Sequence, residues 1–142
     1  MTIARLIETR NSAIVSCDAA TTVREAIKLL AERRIGALPV LAAGKVAGIF
    51  SERDVIYHLQ AQGPAALDRT VGEVMTAPAV TASPDTPVLE ALALMTRRRI
   101  RHLPVVTDGA MIDFVSIGDL VKYRIELIES EAEAMRVYIQ TV

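Results

Sequence analysis

The chain repeats itself along its length, and this repeat constrains the fold more than any other feature. When the sequence is shifted by 65 residues, positions 14–58 align with positions 79–123 without a gap, and 15 of the 45 aligned pairs are identical. Pro39 aligns with Pro104, and Asp54 aligns with Asp119. Such self-similarity indicates two copies of one structural unit that pack against each other.

Each copy has the same order of predicted elements. Apolar residues recur at helical spacing over 23–30 and again over 88–95, and threonines suited to N-capping precede both runs. Two short apolar runs then flank a turn that contains Gly44 or Gly109, which predicts a β-hairpin. A second helix begins near Ser51 or Ser116. With a short strand before the first helix, each copy reads β-α-β-β-α, which is an α/β (α+β) fold class.

The repeat also predicts the division of the chain. Residues 1–66 form the first copy with an N-terminal lead-in, residues 67–128 form the second copy, and residues 129–142 form a C-terminal helix extension. From about Gly118 to Gln140 the sequence reads as one long amphipathic helix without an internal proline. A helix longer than its own domain needs often packs against another subunit, and an exposed tail is the alternative.

Composition and charge exclude several classes of function for this chain. Sixteen basic and seventeen acidic residues give a net charge of −1, so no global field attracts nucleic acid or an anionic membrane. No apolar run is long enough to span a bilayer, and the N-terminus lacks the apolar segment of a signal peptide. Cys17 is the only cysteine, which excludes an internal disulfide and a multi-thiolate metal site within one chain. We therefore expect a cytoplasmic protein with no membrane or nucleic-acid partner.

Two motifs in each copy resemble the signature of CBS (cystathionine-β-synthase) domains. They are residues 33–40 with 48–55 in the first copy, and residues 98–105 with 115–120 in the second. Residues 71–76 also resemble the segment that opens many such repeats. The resemblance covers nearly the whole chain and implies a Bateman module, in which two repeats pack as a pseudo-twofold pair. Two modules commonly associate into a disc-like homodimer, parallel or antiparallel.

The resemblance also implies a ligand. CBS pairs bind adenosine-containing molecules such as AMP, ATP, NAD(H) or S-adenosylmethionine in clefts between the repeats, where a Ser and an Asp three residues later hold the ribose. The matching pairs here are Ser51 with Asp54 and Ser116 with Asp119. An ionised carboxylate can accept both vicinal hydroxyl protons of a ribose. The same spacing is also an ordinary helix N-terminal signal, and the two roles are compatible.

The run Arg97–His102 is the only concentrated positive charge. Helix ends explain Arg33, Arg34, Arg97 and Arg98, because cations complement the C-terminal dipole. Arg101 and His102 stand where phosphate-binding CBS repeats have basic residues, whereas the first copy has Gly36 and Ala37. The second cleft, with Ser116, Asp119, Arg101 and His102, is therefore predicted to be the better nucleotide site. By the same resemblance the further ligand-contacting residues are Ile100, Pro104, Val80 and Thr81, and, for the first cleft, Arg53, Ala37, Pro39 and Ser16.

One position departs from the symmetry, since Gly48 aligns with Asp113. Glycine allows close approach of backbone or ligand, and Asp113 makes that approach less expected in the second copy. An acid near a phosphate disfavours highly charged ligands, which favours a monophosphate such as AMP, or an adenosine with a neutral tail, over ATP. The leading hypothesis is a regulatory module that binds an adenine nucleotide, requires no cofactor and signals to a regulated partner protein. The alternative is a dimerisation or interaction module with vestigial clefts. No residue set offers a nucleophile, a base and an orienting group together, so we do not expect an enzyme.

Overall fold

Both repeats follow the predicted element order, as seen in a computed structural model that describes residues 1–10 and 13–142. The first half contains α1 (Ile3–Glu8), β1 (Cys17–Asp18), α2 (Val23–Arg33), β2 (Ala37–Ala42), β3 (Lys45–Ser51), α3 (Glu52–Gln62) and a 3-10 helix (Gly63–Asp68). The second half contains α4 (Val71–Val74), α5 (Val88–Arg98), β4 (His102–Thr107), β5 (Ala110–Ser116) and α6 (Ile117–Thr141). The mixed α/β fold class with two β-α-β-β-α repeats is confirmed.

The two sheets differ in their first strand. In the first repeat β1 pairs in parallel with β2, and β2 pairs antiparallel with β3. In the second repeat β4 and β5 form the hairpin, and the first strand is reduced to Ala82, which bridges Val105 in parallel. The amide of Ala82 donates to the Pro104 carbonyl at 2.9 Å. One residue therefore takes the place of a whole strand.

Both central helices end in the same way. Arg34 and Arg99 follow α2 and α5 in the left-handed conformation, with φ of 53° and 55°. This reversal turns the chain directly into β2 and β4. It also places Gly36 and Arg101 immediately before β2 and β4.

Each core is completed by the segment that precedes the other repeat. Ile3 and Leu6 of α1 are buried with Val88 in the core of the second repeat, while Val71 and Val74 of α4 are buried in the core of the first. Backbone hydrogen bonds hold both segments in place, since the Ile3 amide donates to the Thr86 carbonyl at 3.0 Å and the Val71 amide donates to the Thr21 carbonyl at 2.7 Å. The predicted boundary after residue 66 divides the repeats along the chain, but the cores cross it.

The last helix leaves the domain body. Leu120, near the start of α6, is fully buried in the second core. Every residue from 128 to 142 is exposed, although α6 continues without a break to Thr141. Residues 129–142 are therefore a helical extension that receives no burial from the rest of the described chain.

Candidate functional site: two clefts between the repeats

Two clefts lie where the repeats meet, and residues of both repeats line each of them. The Asp54 cleft has a volume of about 250 Å³ and contains Ser51 and Asp54. The Asp119 cleft has a volume of about 320 Å³ and contains Ser116 and Asp119. His102 and Ala37 line both clefts and therefore separate them. These volumes lie near the lower end of the range for small-molecule sites.

The carboxylate of Asp54 is buried and held in a fixed orientation. Its Oδ2 accepts hydrogen bonds from the Ser51 amide at 2.9 Å and from the Ser51 hydroxyl at 3.2 Å. Its Oδ1 accepts a hydrogen bond from the Thr76 hydroxyl at 3.0 Å. A carboxylate offers about four acceptor sites, so three bonds leave room for a further donor. Asp54 thus caps the first turn of α3 and presents a carboxylate oxygen to the cleft in a fixed orientation.

Four arginines surround the Asp54 cleft. Arg53 belongs to the first repeat. The other three lie between the end of α5 and the start of β4 in the second repeat, namely Arg98, Arg99 and Arg101. Glu52 and Asp54 are the acids that line it, which leaves an excess of two positive charges. The side chain of Arg53 spans the two repeats, because its Nη1 donates to the Arg99 carbonyl at 3.3 Å. The cleft is therefore suited to an anion.

This arrangement corrects two sequence-based predictions. Arg101 was expected beside Ser116 and Asp119, but it lines the cleft of Ser51 and Asp54. The pseudo-twofold pairing explains the error, because the start of β4 in one repeat faces the β3–α3 junction of the other. Arg98 is exposed in the last turn of α5, as predicted, and it also lines the Asp54 cleft. The cleft predicted to lack a phosphate partner is the one that is rich in arginine.

The Asp119 cleft is lined by a guanidinium from the N-terminal segment. Nη1 of Arg10 lies 3.4 Å from Oδ2 of Asp119 and 3.8 Å from Oδ2 of Asp113. Asp119 also accepts a hydrogen bond from the Ser116 amide at 2.8 Å, and its own amide donates to the Ser116 hydroxyl at 3.1 Å. Arg10 faces two carboxylates here, so the cleft has a net negative charge. Arg10 was not singled out from the sequence.

The aligned positions Gly48 and Asp113 explain this difference. A Cβ on Gly48 would lie 2.7 Å from the Met75 sulfur and 2.7 Å from the Thr76 carbonyl, so the expected close backbone approach is present. In the second repeat the position carries Asp113, which is buried and faces Arg10. The same 65-residue offset aligns Arg10 with Met75. A packed Met–Gly pair in one cleft is thus replaced by an Arg–Asp ion pair in the other.

His102 sits on the wall between the clefts and stacks on Phe114. The ring centroids are 5.4 Å apart and the rings are nearly parallel, at 11°. Burial lowers the pKa of His102 below its ordinary 6.5, and the positive charge of Arg101 lowers it further. The imidazole is therefore neutral at pH 7. His102 is placed to form a flat apolar wall, and it does not supply the positive charge that the sequence suggested.

The remaining predicted contacts divide into two groups. Four more of them line the Asp54 cleft, namely Ile100, Val80, Arg53 and Ala37. The other four line neither cleft: Pro39 and Pro104 are buried within their strands, Ser16 is half-buried beside β1, and Thr81 is exposed. Sequence reasoning missed Thr76, which binds Asp54 from the segment that precedes the second repeat.

Cys17 and the acidic residues do not form another site in the described part of the chain. Cys17 is buried, and burial raises the pKa of its thiol to about 11, so it remains protonated. No group of three or more His, Cys, Asp or Glu residues within 1–10 and 13–142 is arranged to hold a metal ion. None of the helices in these ranges is both long and apolar enough to cross a membrane.

The fold defines a tandem-repeat module with clefts between its repeats, and comparison with known proteins gives its family. The CBS domain model matches residues 7–61 and 71–126. The chain therefore belongs to the CBS domain family, with two copies of the domain.

Individual relatives agree with this assignment. The chain is 39% identical over 129 residues to the CBS domain-containing protein CBSX3, mitochondrial, of Arabidopsis thaliana; this covers 87% of the chain but only 63% of that relative. The structure of a CBS-domain protein from Burkholderia ambifaria MC40-6, described as a signal-transduction protein, is 38% identical with a TM-score of 0.82. It covers 89% of this chain and 95% of that one.

A further similar structure was solved with a nucleotide. The crystal structure of CBSX2 in complex with AMP is 25% identical to this chain, with a TM-score of 0.75, and covers 89% of this chain and 97% of that one. CBS pairs with this fold thus include a protein that binds an adenine nucleotide.

Proposed function

We propose that this protein is a regulatory module that binds an adenosine monophosphate in the Asp54 cleft. The observation that carries the proposal is the pairing, across one cleft, of a preoriented buried carboxylate with an excess of arginine. Asp54 would accept a hydrogen bond from a ribose hydroxyl at its remaining acceptor site. The arginines would bind the phosphate, which carries a charge of about −1.5 to −2 at pH 7. The AMP complex of the similar CBSX2 supports this class of ligand.

The size of the cleft favours a mononucleotide. A volume of about 250 Å³ is small for a ligand site, so a dinucleotide such as NAD(H) would extend into solvent. The positive excess matches the charge of one phosphate better than the larger negative charge of ATP or the positive sulfonium of S-adenosylmethionine. We therefore expect AMP to bind more tightly than ATP, NAD(H) or S-adenosylmethionine.

Binding would be transmitted through the contact between the repeats. The ligand would touch α3 of the first repeat and the α5–β4 junction of the second, which Arg53 already links through the Arg99 carbonyl. A ligand shifts such an equilibrium by its difference in affinity for the two arrangements. A cytoplasmic partner protein, and a second copy in a homodimer, would read the change.

Isothermal titration with AMP, ATP, NAD(H) and S-adenosylmethionine tests this proposal, with two matched variants. Asp54→Asn and Asp119→Asn each alter an aspartate that bonds the amide at the start of a helix. We expect Asp54→Asn to weaken AMP binding by roughly tenfold or more, the worth of one charge-assisted hydrogen bond, and Asp119→Asn to leave it nearly unchanged. Absence of heat with every nucleotide would refute the proposal, as would equal effects of the two variants.

A further inference from the structure

The exposed part of α6 carries an apolar stripe with the spacing of a coiled coil. The intervals between its members alternate between four and three residues over three heptads. The stripe consists of Val121, Ile125, Ile128, Ala132, Met135, Ile139 and Val142. In heptad notation Ile125, Ala132 and Ile139 occupy a, and the other four occupy d.

The stripe faces away from the domain to which the helix belongs. Leu120 is fully buried, and Tyr123 is partly buried against the second core. These residues occupy c and f, on the opposite side of the helix from a and d. Ile125, Ile128 and Ile139 are 50%, 47% and 67% exposed. An isolated helical segment of this length is marginal in water, so an apolar stripe on it calls for a partner that covers it.

The charges beside the stripe identify that partner as a second copy of the same helix. Arg124 and Glu131 occupy g, and Glu129 and Arg136 occupy e. In a parallel pair, each g residue faces the e residue of the next heptad on the other helix. Arg124 would therefore meet Glu129 of the second copy, and Glu131 would meet Arg136. Every flanking pair is of opposite sign, and such pairs set partner choice and orientation.

We propose that α6 forms a parallel, in-register, two-stranded coiled coil with α6 of a second copy of this chain. Ala132, at a between Ile125 and Ile139, permits close approach of two helices. A two-fold pair is also the commonest closed symmetry for identical chains. This inference does not rest on nucleotide binding, because residues 121–142 line neither cleft.

Disulfide trapping tests the orientation in the full chain. Ile128→Cys places a thiol at d, where the two copies of residue 128 would face each other. Ser130→Cys places an equally exposed thiol at f, on the outside of the pair. The native Cys17 is buried and does not compete. Under mild oxidation we expect Ile128→Cys to become predominantly a covalent dimer while Ser130→Cys stays predominantly uncrosslinked. Equal crosslinking of both variants, or none of Ile128→Cys, would overturn the proposal.

A charge exchange supplies a second, independent readout. Glu131→Arg would place an arginine at position 131 opposite Arg136 of the other copy. The double variant Glu131→Arg with Arg136→Glu would restore opposite charges at this contact. We expect the crosslinking of Ile128→Cys to fall in the single charge variant and to recover in the double variant. Val137→Glu, at f, is the matched surface control for Ile139→Glu, at a. Crosslinking must fall with Ile139→Glu and persist with Val137→Glu, and any other pattern contradicts the coiled coil.

Discussion

The guanidinium of Arg10 lies 3.4 Å from the carboxylate of Asp119, the residue that aligns with Asp54 of the other cleft. Asp113 supports the contact from 3.8 Å. In the other cleft the aligned residues are Met75 and Gly48, and Asp54 bonds Ser51 and Thr76. The two aligned carboxylates therefore differ in their partners: Asp119 faces a guanidinium of its own chain, whereas Asp54 is held by hydroxyl and amide donors.

Removal of this internal cation should open the second cleft. The double variant Arg10→Met with Asp113→Gly copies the Met75–Gly48 pair and avoids leaving a buried carboxylate unpaired, which would cost stability. We expect the titration stoichiometry with AMP to rise from one to two per chain. The single variant Asp113→Gly, which keeps Arg10, is the control and should still bind one. A folded double variant that continues to bind one AMP would contradict this role of Arg10.

Arg101 should contribute to phosphate binding in the Asp54 cleft. We expect Arg101→Gln to weaken AMP binding by roughly 10- to 100-fold, because a charge-assisted hydrogen bond contributes about 1.5–3 kcal/mol. Binding of adenosine, which lacks the phosphate, should change little. Arg97→Gln is the matched control, since Arg97 is equally an exposed arginine near the end of α5 but does not line the cleft. If Arg101→Gln weakened AMP binding and adenosine binding equally, Arg101 would not be a phosphate ligand.

The buried imidazole of His102 should make the fold sensitive to mild acid. Its pKa is lowered in the folded state, mainly by burial, so the unfolded chain binds the proton more readily. The stability that depends on the neutral ring is present above the unfolded pKa of about 6.5 and is lost as pH falls below it.

His102→Phe isolates this effect because it keeps a flat ring against Phe114 and removes the titrating group. Between about pH 7.5 and about pH 5.5, a range that spans an ordinary histidine pKa, the melting temperature of the wild type should fall more than that of the variant. Thermal unfolding at several pH values measures the difference. Parallel curves for the two proteins would show that His102 does not titrate on unfolding.

Glycine substitutions should separate close packing from helix propensity. Gly48→Ala would place a Cβ 2.7 Å from both the Met75 sulfur and the Thr76 carbonyl, so we expect a loss of about 1–3 kcal/mol from overpacking. Gly118→Ala, in the first turn of α6, would place a Cβ at an ordinary contact distance of 3.6 Å from the Ser116 hydroxyl oxygen. It should raise the free energy of unfolding by about 0.5–1 kcal/mol. Urea denaturation measures both, and changes of the same sign would contradict the packing argument.

Local sequence patterns predicted much of this molecule. The 65-residue offset and the helical and hairpin patterns predicted the β-α-β-β-α order, because these features depend on residues that are close along the chain. The Ser-x-x-Asp motifs also predicted correctly where α3 and α6 begin. In the second repeat the first strand is shorter than predicted, since a single bridge at Ala82 satisfies the edge of β4.

The tertiary structure alone decided which functional groups share a cleft. Ser116 and Arg101 belong to the same repeat, so sequence reasoning grouped them, but the pseudo-twofold packing turns Arg101 toward Asp54 of the other repeat. Arg10 lies near the start of the first repeat, yet α1 packs in the second core and brings Arg10 to Asp119. A one-dimensional pattern fixes the order and polarity of elements, whereas contacts between segments tens of residues apart depend on how whole repeats bury their apolar faces against each other.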